Sequence, residues 1–86
     1  MTTWREMIKH EMRANNDSFN ELVESTFKNN EIDTEFHAGY GGDLAIEFTL
    51  WTKTRVYFPC IYDGAQWVGS VSRNPDGIAT EHQGGG

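Results

Sequence analysis

The chain has one cysteine, two prolines and no apolar run approaching the ~20 residues that a membrane-spanning helix needs. A single thiol, Cys60, cannot close an internal disulfide, which suits a reducing compartment. It stands in "VYFPCIY" without a neighbouring histidine or base, so a small buried hydrophobe is expected there rather than a reactive thiolate. Positive charge is also scarce. Seven Lys and Arg face thirteen Asp and Glu, a formal net charge of −6. Binding to phosphate backbones requires clustered cations, so direct nucleic-acid binding is not expected, nor is attachment to an anionic membrane. The first residues are too polar for a secretory signal, and a cytoplasmic location is expected. His10, His37 and His82 are scattered, with no helical pair and no Cys-x-x-Cys, so neither a metal set nor a cofactor motif is expected.

What is present describes a small folded domain. The chain has 86 residues, 37% hydrophobic and 13% aromatic. A domain of that size buries roughly 60–65% of the surface its unfolded chain exposes, and a deep substrate pocket would use up scarce core. The compact part is expected over 1–78, with a Gly-rich tail at 79–86.

Thr3-Trp4-Arg5-Glu6 reads as a capping box, and Trp4, Met7, Ile8 and Met12 then recur at i, i+3, i+4 and i+8, which predicts an amphipathic helix to about Ala14. "NND", Asn15 to Asp17, ends it. Ser18-Phe19-Asn20-Glu21 repeats the box, and Phe19, Leu22, Val23 and Phe27 repeat the spacing, which predicts a second helix closed by Asn29-Asn30. From Leu44 the period becomes two. Leu44, Ile46, Phe48 and Leu50 alternate with Ala45, Glu47, Thr49 and Trp51, predicting a strand with one buried face. "TKT" turns the chain into a second strand over 55–62, and Asp63-Gly64 signals a hairpin into a third over 66–72. Pro59 removes a ladder donor from the middle of that second strand, so either a bulge or break at Phe58-Pro59, the preferred reading, or an edge position for the strand is expected. Asn74-Pro75-Asp76-Gly77 is a turn. The fold class expected is α+β: two N-terminal amphipathic helices packed on a three- or four-stranded antiparallel sheet.

"FHAGYGGDL", Phe36 to Leu44, is the most site-like segment. A phosphate loop needs glycine-bounded amides with a following Lys and Ser or Thr, or G-x-G-x-x-G between a strand and a helix, and "GYGGDL" offers neither. It reads as a corner between helix and strand, made possible by glycine's freedom at positive φ. Residues 17 to 35 hold six acids against Lys28 alone. General acid catalysis needs such groups in a cleft, whereas these lie on a polar face, and no enzyme is inferred. Their functional reading is a negative surface for a basic partner, carried by Glu21, Glu24, Glu31, Asp33 and Glu35. Tyr40, Trp51, Tyr57 and Trp67 are the aromatic anchors such a surface would use, unless the helices cover them as core.

The block "FTLWTKTRVYFPCIYDGAQWVGSVSRNP", Phe48 to Pro75, with "GYGG" before it and "TEHQGGG" after it, resembles short, mostly uncharacterised proteins encoded by tailed bacteriophages. One departure is Ser72, where that pattern has proline before "RNP". The resemblance carries no catalytic motif. It implies a protein of the host cytoplasm that binds and blocks a host defence or nucleic-acid-handling factor. The leading expectation is therefore a non-enzymatic inhibitor with an acidic and aromatic surface and a basic protein partner. The alternative is a nucleotide- or metabolite-sequestering protein, in which the Gly39–Gly42 amides and the aromatics converge. Homo-oligomerisation is compatible with both.

Overall fold

A computed structural model of the chain describes residues 1–39, 46–80 and 82. Helix α1, Trp4–Ala14, starts where the Thr3 hydroxyl accepts from the Glu6 amide at 3.1 Å. It stops where Asn16 takes a positive φ of 56°, letting the Asn16 amide reach Arg13 O and the Asp17 amide reach Met12 O. That pair of bonds is a Schellman ending, with Asn in place of the usual Gly. The apolar stripe buries Trp4, Ile8 and Met12.

The expected second helix is not there, and α1 is the one α-helix among the described residues. Ser18 makes no side-chain cap bond, a single 3-10 turn covers Phe19–Glu21, and the chain continues as strand β1, Leu22–Ser25. Two causes combine. Val23, Ser25, Thr26 and Asn29 are weak helix formers, and Asp17, whose residue type also caps helices, points its carboxylate across to hydroxyls of the sheet. An edge position beside the next strand then outcompetes a helix whose stripe is only half used. Phe19 and Phe27 pack on the core, but Leu22 and Val23 stay 44% and 52% exposed.

Strands β2 (Leu50–Thr52), β3 (Arg55–Tyr62) and β4 (Ala65–Ser72) complete an antiparallel meander in the order β1-β2-β3-β4. The strand expected from Leu44 is shorter than its pattern. Residues 44 and 45 lie outside the described residues, and Ile46 to Thr49 make no ladder, yet Phe48 and Leu50 are buried while Glu47 is exposed. Burial alternates even where pairing does not. Asp63 and Gly64 both take positive φ, 51° and 84°, as a type I′ hairpin requires.

Pro59 breaks nothing, and β3 is continuous. The Gln66 amide donates to Ala38 O at 2.6 Å, away from β3, so by alternation Val68 and its partner Pro59 form a pair without ladder bonds. Pro59's missing donor therefore faces the β2 side. There β2 reaches only as far as Leu50 opposite Tyr57, so no ladder bond is lost.

Helix α1 lies on one face of the sheet, with Leu50, Tyr57 and Val68 beneath it. An aromatic cluster closes the helix's first turn. Trp4 meets Phe36 and Phe48, each at 4.9 Å between ring centroids, and Phe27 stacks on Phe48 at 4.6 Å. The 27–36 loop is tied to the same end by the Thr2–Phe36 bridge and by the Arg5–Asp33 ion pair. The corner expected around Tyr40 to Leu44 lies outside the described residues.

Candidate functional site

Alternation assigns every strand residue to one of two faces. The register aligns Leu50 with Tyr57 and Tyr57 with Ser70, so Leu50, Thr52, Arg55, Tyr57, Val68, Ser70 and Ser72 share the face under α1. The intervening residues form the outer face. The register sets Trp51, Val56 and Val71 in one row, Phe58 against Gly69 in the next, Cys60 against Trp67, and Tyr62 against Ala65. None of these side chains belongs to the core cluster or packs against it. Trp51, Val56, Phe58, Cys60, Trp67 and Val71 are partly exposed, and Tyr62 is 53% exposed. Gly69 in an edge strand would weaken the sheet, but an aromatic directly opposite is the usual remedy.

The outer rows of β2, β3 and β4 contain no charged residue. At strand and residue spacings they form an apolar patch roughly 15 Å across and 20 Å long, about the size at which exposed apolar surface marks an interaction site. Charge enters only at the rim, where β1 sets Glu24 opposite Trp51. Burial pushes the Cys60 thiol up, against an opposing bond from the Gly69 backbone, so it behaves as a neutral hydrophobe.

The inner face holds polar groups at the end of the sheet near the helix C-terminus. The Asp17 carboxylate accepts from the Thr52 and Tyr57 hydroxyls, both at 2.6 Å, and from the Ser18 amide at 2.9 Å. Burial pushes this carboxyl up, but those donors and the Arg55 charge outweigh it and hold the group below the ordinary aspartate range. Tyr57, with 0% exposure, has its hydroxyl raised by burial first and by the bond to Asp17 second. Beside them Ser70 donates to Glu11 Oε2 at 2.7 Å and accepts from Arg55 Nε and Nη2 at 3.1 and 2.9 Å. Ser70 is thus a junction between a cation and an anion. Among the described residues no buried side-chain nitrogen or oxygen lacks a partner.

The residues expected to form one acidic and aromatic surface are dispersed. With no second helix there is no acidic helix face. Glu24 is exposed on the edge strand, and Glu21 pairs with Lys53 at 3.5 Å. Glu31 turns its carboxylate onto the Lys28 amide, Asp33 is held by Arg5, and Glu35 is exposed in the same loop beside the helix N-terminus. The Arg5 bond holds the Asp33 carboxyl low. Tyr57 is core and unavailable as an anchor, whereas Trp51 and Trp67 share the outer face. Tyr57 therefore cannot converge with them on a ligand, and Tyr40 and the amides of residues 41 and 42 lie outside the described residues. Sequence reading missed Val56, Phe58 and Val71. Alternation within "RVYFPCIY" carried the signal, but almost every residue there is apolar, so neither face stood out.

Comparison with family models, with curated proteins and with solved structures finds no match. Among the described residues no helix is long and apolar enough to cross a membrane, and no group of three or more His, Cys, Asp or Glu could hold a metal ion.

Proposed function

We propose that the chain is a non-enzymatic interaction protein, an inhibitor of the phage type, which binds a host protein through the outer face of its sheet. One observation carries the reading. An antiparallel sheet with one covered face normally turns polar residues to water, and here the open face is the more apolar of the two. Trp51 and Trp67 supply large rigid contact area at small entropic cost, and Glu24 at the rim together with the net charge of −6 favours a basic partner, speeding its encounter. The same charge opposes self-association. A host protein that handles nucleic acid, in defence or otherwise, needs such a basic surface, and the phage resemblance of residues 48–75 supports that class.

The test is quantitative capture from host lysate by the immobilised chain, identified by mass spectrometry. Trp51→Ser with Trp67→Ser should abolish capture while circular dichroism and Tm stay near those of the parent. Glu24→Lys should weaken it and flatten its salt dependence, and Glu31→Lys with Glu35→Lys should leave it unchanged. Undiminished capture by the double tryptophan variant would refute this face as the binding surface. A concentration-dependent dimer abolished by Trp67→Ser would assign the face to a second copy instead.

A further inference from the structure

At the end of the sheet opposite the 63–64 hairpin, a groove of about 680 Å³ opens between the last turns of α1, the end of β4 and the segment 73–80. Its size falls within the ~300–1,000 Å³ of small-molecule sites. Its charge pattern is unlike the rest of the chain. Arg55 and Arg73 both line it, and neither has a carboxylate within ion-pair distance among the described residues, although acids outnumber Lys and Arg almost two to one. Arg55 uses Nε and Nη2 on the Ser70 hydroxyl, and Arg73 uses Nη1 on the Thr52 carbonyl at 3.1 Å. Each guanidinium offers five donors, so most of this capacity is not taken up among the described residues.

The two acids lining the groove are differently placed. Glu11 Oε2 already accepts from Ser70 and Asn15, and Asp76 Oδ1 accepts from the Ile78 amide. Each lining carboxylate takes protein donors on one oxygen, and Arg55 also lends its charge to Asp17, but the direct bonds of both guanidiniums go to neutral groups. Ile78, 76% exposed, and Pro75 give the same groove an apolar wall.

We propose that this groove binds a small phosphate monoester, with its dianionic head between Arg55 and Arg73 and its apolar or aromatic body against Pro75 and Ile78. Two guanidinium forks match a dianion, whereas a lone carboxylate would answer only one. The site lies at the far end of β4 from Trp67, although Val71 of the outer face also lines it.

The experiment is an NMR titration of the ¹⁵N-labelled chain at constant ionic strength with adenosine monophosphate, inorganic phosphate and benzoate. Adenosine monophosphate should give saturable shifts at Arg55, Arg73, Asn74 and Ile78, with phosphate weaker and benzoate weakest. Arg73→Gln, at an exposed position, should weaken adenosine monophosphate by roughly tenfold or more. Arg55→Lys, which keeps the charge and loses the fork, should also weaken it. Trp67→Ser should leave it unchanged, which separates this site from the proposed binding face. Shifts that do not saturate or that map elsewhere, benzoate equal to adenosine monophosphate, or undiminished affinity in Arg73→Gln would each overturn the proposal.

Discussion

The two faces of the sheet reverse the usual distribution. The face under α1 carries Thr52, Arg55, Ser70 and Ser72 beside Leu50, Tyr57 and Val68, while the open face carries Trp51, Val56, Phe58, Cys60, Trp67 and Val71. Covered polar groups are tolerable because each has its partner, from Asp17 to the Thr52 and Tyr57 hydroxyls and from Glu11 through Ser70 to Arg55. The partly exposed apolar groups of the open face gain cross-strand pairing but no place in the core cluster. The difference teaches that the inner face is shaped for stability, and it is the outer face to which the proposed partner binding is assigned. Because strand side chains alternate with period two, a one-residue slip would exchange the two sets, so register holds the whole arrangement.

The largest effect should come from the inner face. Leu50→Ala removes a side chain with 0% exposure and should cost about 2–5 kcal/mol in urea unfolding. Val56→Ala, one row away but on the outer face, should cost less than about 1 kcal/mol. Equal costs would mean the outer face is packed after all.

Next comes the polar end of the covered face. Asp17→Asn weakens the acceptor of two hydroxyls and should cost about 1–3 kcal/mol at neutral pH. The folded carboxyl lies below its unfolded value of ~3.9, so its contribution is complete above that value and is lost as pH falls through the lowered one. The gap between parent and Asp17→Asn should therefore close on acidification. Tyr57 has the opposite sign. Its folded hydroxyl is raised above ~10, so its contribution is complete below that pH and fades as pH rises further, a fading that Tyr57→Phe should remove. Stability profiles of these variants between acid and alkali check both limbs.

The cover itself depends on α1. Thr3→Ala removes the hydroxyl that accepts from the Glu6 amide and should cost about 1 kcal/mol, read as a lower urea midpoint at unchanged m.

Much of this was legible from local pattern. The Thr3 cap, the Trp4–Met12 stripe, the stop at Asn15 to Asp17 and the Asp63-Gly64 hairpin each depend on residues within a few positions of one another, and each appears in the structure. The failures depend on distant partners. Phe19 to Phe27 shows helical spacing, yet its conformation is decided by β2, some 28 residues later, as the Leu22–Thr52 and Ser25–Leu50 pairs show. Pro59 looked harmful because the length of β2 could not be read, and β2 stops short of it. Tyr57 reads as a surface anchor in the sequence because its hydroxyl partner, Asp17, is 40 positions away. Of the candidate site, Trp51 and Trp67 were legible as aromatics, but their shared face was not, since it follows from a register set by the two turns.

The smallest stability effect should accompany the largest functional one. Trp67 stands on the outer face opposite Cys60, outside the core cluster, so Trp67→Ser should forfeit only a cross-strand pair, about 0.2–1 kcal/mol. Its removal takes away one of two large anchors from a patch of some ten residues, where loss of a central tryptophan commonly costs ~2 kcal/mol or more of binding. Urea unfolding and partner capture measured on the same preparation decide the matter. A side chain that matters to the fold moves both quantities together, through loss of folded protein. One held for a partner moves binding alone, and a destabilisation of Trp67→Ser comparable to that of Leu50→Ala would place the tryptophan in the core and remove the distinction between the two faces.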